Sequence, residues 1–316
     1  MDRADAHSAA KALDDNISSV IRGKPQAVHI ALMTLFAGGH LLIEDVPGMG
    51  KTMLARSIAR SIHGTFKRIQ ATPDLLPSDV TGANIYNQAA GAFEFMPGPV
   101  FANVVLIDEI NRTTPRTQSA LLEAMDEAAV TVDGKTYALP SPLFIVATQN
   151  PIEHHGTYPL PEGQLDRFAV SMDIGYLTPG TEREVVRAQL AEHPIESLKP
   201  VVTTDDIAGI QDQVRKVHVA EPVLGYALAL VAATRDHPEV ELGASPRSSV
   251  MLVRMCQARA LMSGRDFIVP DDVKALAAPA LAHRVLPVAG ARSEPRRMAR
   301  VINELLERTP VPILDA

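Results

Sequence analysis

Tryptophan is absent from this sequence, and aromatic residues fill only 4% of its 316 positions. A core must therefore be built from Ala, Leu, Val and Ile, which suits helices packed on a sheet. There is one cysteine, Cys256, so no disulfide can form within the chain. It falls in a helical apolar stretch, where a free thiol usually behaves as a small buried hydrophobe. Long apolar runs are missing. The longest clean one, Val223 to Ala233, falls well short of the ~18 residues a membrane helix needs, and no membrane insertion is expected. The opening Met1-Asp2-Arg3-Ala4-Asp5 sets no apolar segment behind a basic start. No signal peptide is therefore expected, and a reducing cytoplasm is the expected setting. A basic excess is lacking as well. With 30 Lys and Arg against 37 Asp and Glu, the net charge is −7, and no basic stripe is visible. That balance argues against nucleic acid as a partner.

What is present is ordinary globular composition, 46% hydrophobic and 21% charged, at a length that suits two domains. Residues 4–20 and Pro25–Phe36 read as helices. Leu41-Leu42-Ile43, Val104-Val105-Leu106-Ile107 and Leu143-Phe144-Ile145-Val146-Ala147 are short apolar runs bounded by turn residues. Such runs suit buried parallel strands. Phe66–Ile69 and Ala169–Ile174 add two more strands, and Met53–His63 and Thr117–Ala128 read as helices between them. A Pro-rich link runs through Pro73 and Pro77. Strands alternating with helices predict an α/β fold, a parallel sheet with helices on both faces. Beyond Thr178 strand signals vanish. Helices are expected at 181–192, 205–217, 223–234, 246–262, 271–286 and 294–308. The expected division is an α/β core over 1–178, a linker with a helix over 179–202, and an all-helical domain over 203–316.

The chemistry begins after the first buried strand. Asp45-Val46-Pro47-Gly48-Met49-Gly50-Lys51-Thr52-Met53 joins that strand to a helix. This is the Walker A arrangement of a P-loop NTPase. Its glycines turn backbone N–H groups toward phosphates, Lys51 reaches the β- and γ-phosphates, and the Thr52 hydroxyl ligates Mg²⁺. The helix N-terminus adds partial positive charge. The motif's first glycine is Asp45 here, a departure at the strand exit where the expected cost is small. Asp108-Glu109 follows the second core strand. Asp108 there can hold the Mg²⁺ shell opposite Thr52, and Glu109 can polarise the attacking water. The bland alternative, two solvated acids, is weakened by the four buried-type residues leading into them. Asn150 ends the third core strand, where it can orient the lytic water; alone, Asn150-Pro151 would be a common turn.

Two arginines stand out. Arg167 follows Leu165-Asp166, and a guanidinium there can be offered to a neighbour's γ-phosphate. In Ser245-Pro246-Arg247 a Ser N-cap and a first-position Pro precede a cation in the first turn. That cation opposes the helix dipole, so a nearby anion is expected. Arg247 is thus a candidate phosphate sensor, with a tolerated surface arginine as the alternative. Arg112 and Arg116 remain rival fingers. His154-His155 lacks spaced partners for zinc and reads as a polar loop.

Six phrases in order carry a resemblance across nearly the whole chain: Asp45 to Thr52, Gln70 to Asp79, Asp108 to Arg112, Ala147 to Pro151, Thr157 to Glu162 and Leu165 to Phe168. Together they resemble the MoxR family of AAA+ ATPases. The resemblance implies a P-loop core followed by a helical lid, and ATP with Mg²⁺ as cofactors. It also implies a ring, usually a hexamer, that remodels or matures client proteins, often ones with von Willebrand A domains. By the same likeness Lys51 and Thr52 belong to Walker A, Asp108 and Glu109 to Walker B, and Asn150 to sensor 1. Arg167 becomes the finger and Arg247 sensor 2, which in this branch can face a neighbouring subunit's nucleotide. Arg22-Gly23-Lys24 departs from the family's usual phrasing on the adenine side. Ala129–Leu139 alternates around Asp133-Gly134, a hairpin signal. Gly91–Met96 reads as a protruding loop, either plain connection or a contact for substrate or neighbour. A nucleotide-gated scaffold with little hydrolysis is disfavoured because every hydrolytic position is filled. A nucleic-acid or transcription machine is disfavoured by charge, and because Gly91-Ala92-Phe93 resembles the opening of the loop in activators of the alternative sigma factor but Glu94-Phe95-Met96 does not continue it. A GTPase lacks its Asn-Lys-x-Asp motif.

Overall fold

The computed structural model describes residues 1–150, 157–191, 194–288 and 297–312. Two helices, α1 (Arg3–Val20) and α2 (Pro25–Phe36), precede β1 (Leu41–Glu44), α3 (Lys51–Ser61) and β2 (Phe66–Gln70). Then come α4 (Pro77–Thr81), β3 (Gly82–Asn87), β4 (Ala92–Pro97), β5 (Val104–Asp108) and α5 (Pro115–Glu127). β6 (Ala129–Val132), β7 (Lys135–Ala138), β8 (Phe144–Gln149), α6 (Glu162–Leu165) and β9 (Val170–Met172) complete the α/β portion. The remainder is α7 (Pro179–Ala191), α8 (Thr204–Lys216), α9 (Glu221–Ala233), β10 (Val240–Leu242), α10 (Pro246–Met262), α11 (Pro270–Leu281), β11 (Leu286–Pro287) and α12 (Arg297–Arg308).

Five strands pair in the order β2-β5-β8-β1-β9, all parallel. Successive residues of a strand face opposite sides, and the apolar runs use both. Leu41, Ile43, Val104, Leu106, Phe144 and Val146 join one core cluster. Leu42, Val105, Ile107, Ile145 and Ala147 join a second, with Leu121, Leu122 and Met125 of α5. This is why these strands read as unbroken apolar runs rather than alternating ones. The first cluster runs on without a break into Leu13 and Ile17 of α1, and into Ile210, Leu252, Leu276 and Ile302 of the later helices.

The C-terminal part is helical, with one addition to the expectation. β10 and β11 form a small antiparallel pair, and His218 bridges Phe267. Elements of three and two residues are too short for any periodicity to announce them. The helix expected to reach residue 286 ends at Leu281, before a 3-10 turn Ala282–Arg284. The last helix begins at Arg297, and residues 294–296 lie outside the described ones. The Pro-rich link contains α4, with Pro77 in its first position, where a missing N–H does no harm. Residues 91–96 are not a free loop: β4 pairs with β3 along its whole length. β6 and β7 form the expected hairpin, with Asp133 and Gly134 both at positive φ, 50° and 78°. Phe95 stacks on Tyr137 at 3.9 Å between ring centroids and ties the two hairpins together.

Candidate nucleotide site

The loop after β1 turns at Gly48 (φ 87°) and Gly50 (φ 89°) before α3 begins at Lys51. A Cβ on either glycine would meet nothing within 4 Å, so the backbone conformation itself selects glycine there. Gly50 is the helix N-cap, and no side chain caps the end. The first N–H groups of α3 are thus left to an anion. Lys51 bends back across the loop, its Nζ donating to the Asp45 carbonyl at 2.6 Å. Burial pushes its pKa down, and the carboxylates of Asp45, Asp108 and Glu109 push the other way. The lysine and the acid pair therefore share one electrostatic neighbourhood. Thr52 and Met53 follow in the first turn of α3.

Asp108 ends β5 and is buried, 8% exposed. Its Oδ2 accepts from Arg68 Nε at 2.6 Å, and the same guanidinium reaches Gln70 Oε1 at 3.2 Å. Glu109 stands in the left-handed region at φ 58°, a conformation uncommon for glutamate. Its Oε2 accepts from Arg112 Nη1 at 2.9 Å. Thr148 of β8 joins the two acids: its hydroxyl accepts from Glu109 N at 2.9 Å and donates to Asp108 Oδ1 at 3.4 Å. Asn150 follows β8 directly and is buried. Because β8 lies between β5 and β1, all three strand exits open at one end of the sheet. Ligands of open α/β sheets collect at that end.

Arg167 and Arg247 come together elsewhere. Arg167 Nε pairs with Asp126 Oδ2 at 3.0 Å, and Arg247 with Asp126 Oδ1. The Ser245 hydroxyl caps α10 as expected, accepting from Ser248 N. The anion that the helix dipole called for beside Arg247 is present within this chain, as Asp126, so the dipole argument does not by itself require a phosphate. Of the rival fingers, Arg112 is paired with Glu109 and Arg116 is exposed in the first turn of α5. Pro151 and the His154-His155 pair lie outside the described residues. Among the described residues no group of three or more His, Cys, Asp or Glu is placed to hold a metal.

Residues 40–170 match the family model described as ATPase family associated with various cellular activities (AAA), and residues 232–305 match that of the AAA lid domain. The chain is 38% identical to Chaperone MoxR1 of Mycobacterium tuberculosis, over 99% of this chain and 85% of that relative. It belongs to the MoxR family of AAA+ ATPases. Protein YeaC of Bacillus subtilis is 47% identical, covering 98% of this chain and 97% of its own. The crystal structure of a presumptive ATPase from Cytophaga hutchinsonii superposes with a TM-score of 0.90 at 36% identity, over 98% of this chain and 96% of that one. The MoxR-type chain thus binds nucleotide on a P-loop α/β core with a helical lid and hydrolyses ATP.

Both departures from the MoxR phrasing have a physical account. Asp45 Oδ1 accepts from Val46 N at 2.8 Å, while Oδ2 accepts from Ile174 N at 2.9 Å and Gly175 N at 2.7 Å. It straps the phosphate loop to the segment after β9. That segment, with Arg22, Lys24, Met49 and Met53, lines a cavity of about 220 Å³ beside the loop. The cavity suits a nucleobase: Val20, Ile21 and Leu177 give apolar walls at the mouth of the phosphate loop. Arg22 and Lys24 are part of its wall. Lys24 Nζ donates to Tyr176 O at 2.8 Å, and Gly23, at φ 72°, would set a Cβ 2.5 Å from Thr181. The strap, Arg68 and Asp126 escaped the sequence reading, because nothing near any of them in the chain hints at its partner.

Proposed function

We propose that this MoxR-type ATPase hydrolyses Mg²⁺-ATP at the sheet end described above, as a ring of identical chains, a hexamer by family likeness. Lys51 neutralises the β- and γ-phosphates, Glu109 polarises the attacking water, and Asn150 orients it. The donor set suits magnesium. Thr52 and Asp108 offer hard oxygens, and Asp108 already attracts one cationic group, Arg68, which Mg²⁺ would displace. A bound Mg²⁺ would neutralise charge building on the transferred phosphoryl group. Glu109 must likewise exchange Arg112 for water before it acts as a base. Arg167 and Arg247 are proposed to reach the nucleotide of an adjacent copy. Turnover would drive remodelling of a client protein, of the kind carrying a von Willebrand A domain. The working division is a core over 1–178, a linker over 179–202 and a lid over 203–316. No described helix is long and apolar enough to cross a membrane; the reading places the chain in the cytoplasm.

The observation that supports this most is the adjacency of β1, β8 and β5, whose exits bring the Lys51 loop, Asn150 and the Asp108-Glu109 pair to one end of the sheet. Replacing Glu109 with Gln should keep ATP binding and lower turnover by roughly 10²–10⁴-fold, the usual worth of a general base. Undiminished turnover would remove Glu109 from that role. The same variant, loaded with ATP, is the bait for isolating the client. Sedimentation with and without ATP tests the ring.

A further inference from the structure

The pairing of two cations from different parts of the fold on one carboxylate invites an account. Asp126 lies in the last turn of α5, its side chain 21% exposed. Each of its oxygens receives one guanidinium, Arg167 on Oδ2 and Arg247 on Oδ1. One carboxylate thus serves two guanidinium groups. Each contact uses one of a guanidinium's five donors. Both arginines are partly open to solvent, 29% and 48% exposed. Arg167 borders a small cavity walled by Ser119, Glu123, Asp126, Glu127 and Gln164, and on this acidic wall it is the only cation offered to an anion among the described lining residues.

Beneath this fork lies a rigid base. Asp166, the residue before Arg167, accepts from Ser245 Oγ at 2.9 Å and Ser248 Oγ at 3.1 Å, at the very helix end that carries Arg247. Arg284, its side chain 1% exposed, stands 3.6 Å from Asp166 and donates to Phe168 O at 2.5 Å. The backbones of both arginines are thereby fixed to each other. Their long side chains still carry like charges and would swing apart if nothing held them. A carboxylate with one guanidinium per oxygen spaces them much as two oxygens of a phosphoryl group would.

We propose that Asp126 is a positioning residue, which holds Arg167 and Arg247 as one two-armed anion site for the terminal phosphate of a nucleotide bound to a second copy of this chain. The proposal rests on the arginine roles given under Proposed function. Its test uses Asp126→Asn, Asp126→Ala and Asp126→Glu in the full chain, the double variant Arg167→Ala with Arg247→Ala, and that double variant combined with Asp126→Ala. Steady-state ATP turnover and affinity for a fluorescent ATP analogue are measured on each. Asp126→Asn, which keeps the shape, and Asp126→Ala should each lower kcat about tenfold or more with affinity changed by less than about twofold, because the fork acts on turnover and not on the chain's own phosphate loop. Asp126→Glu should restore most of kcat. Without the two arginines, removing Asp126 should change nothing further, since residues acting as a unit are non-additive. A rise in kcat on losing Asp126 would overturn the proposal, showing a shield rather than a support. An equal loss in the arginine-free background would also overturn it, placing the effect elsewhere. Full turnover by the arginine-free chain with Asp126 intact is a separate result and defeats the arginine roles themselves.

Discussion

Replacing Asp45 by Gly would restore the glycine that the phosphate-loop motif calls for, and the geometry forecasts harm rather than benefit. The Asp45 carboxylate accepts from three backbone N–H groups, those of Val46, Ile174 and Gly175, at 2.7–2.9 Å, in a residue only 8% exposed. A hydrogen bond to a charged group contributes about 1.5–3 kcal/mol, and a buried donor left without an acceptor costs about as much. The three bonds share one carboxylate and water can enter part of the gap, so their sum is well below three full values. With the ~0.5–1 kcal/mol of added backbone freedom in glycine, the expected loss is about 3 kcal/mol. The damage falls between the phosphate loop and the wall of the base cavity. Nucleotide affinity should therefore weaken too, by about tenfold if only half of that energy serves to preorganise the site. Urea unfolding of the nucleotide-free chain measures the first effect, and titration with a fluorescent ADP analogue the second. Asp45→Asn, which keeps one acceptor for Ile174 and Gly175, should lose less on both scales. If Asp45→Gly unfolds at the parent's midpoint and binds nucleotide as tightly, the strap has no energetic meaning and this reasoning fails.

Gly98→Ala would set a Cβ 2.2 Å from the Val80 carbonyl and 2.5 Å from Gly82 N, where backbone must move. The base of the β3–β4 hairpin should open, at a cost of roughly 1–3 kcal/mol. Limited proteolysis should then cut within residues 82–97 while nucleotide binding persists, and a protease-resistant hairpin would contradict the packing. His40 is buried, with Nδ1 accepting from Ile145 N and Nε2 facing Met125 O, and burial pushes its pKa from 6.5 to about 4. The unfolded chain therefore takes up a proton below pH 6.5 that the folded chain refuses until about pH 4. Its stabilisation is full above 6.5 and fades as pH falls through that window, by about 3 kcal/mol in all. His283, pushed down to about 3 by burial and by Arg284, acts with the same sign. Unfolding free energies at pH 7 and 4.5 should differ less for His40→Asn than for the parent; an equal slope would exclude His40.

The parts legible in the sequence are those where chemistry and chain order coincide. Leu41-Leu42-Ile43 and Val104–Ile107 announced buried strands because both faces of the sheet are covered. Ser245-Pro246 announced the start of α10 because a cap acts within three residues. Lys51, Asp108 and Asn150 could be placed at one sheet end because Lys51 closes the short loop after β1, Asp108 ends β5 and Asn150 follows β8. What escaped was carried by side chains reaching far along the chain. Asp45 looked like a tolerated substitution because its acceptor role is toward Ile174 and Gly175. The dipole argument at Arg247 rightly demanded an anion, but nothing local distinguished a phosphate from Asp126. β4 passed for a loop because its partner strand, Gly82–Asn87, is polar and shows no apolar alternation.

β9 is only three residues long, yet it is gripped at both ends. Before it, Phe168 O is held by His283 and Arg284 of the helical part; after it, Ile174 and Gly175 are held by Asp45 of the phosphate loop. The stretch from 168 to 174 spans about 20 Å when extended. It is a tie-rod whose two fixings belong to opposite partners, and its middle is locked in register against β1. A tilt of the helices cannot be absorbed there as slack: it must be transmitted as tension to the residues that would cradle the phosphates, and a change at those phosphates must be felt in return by the helices.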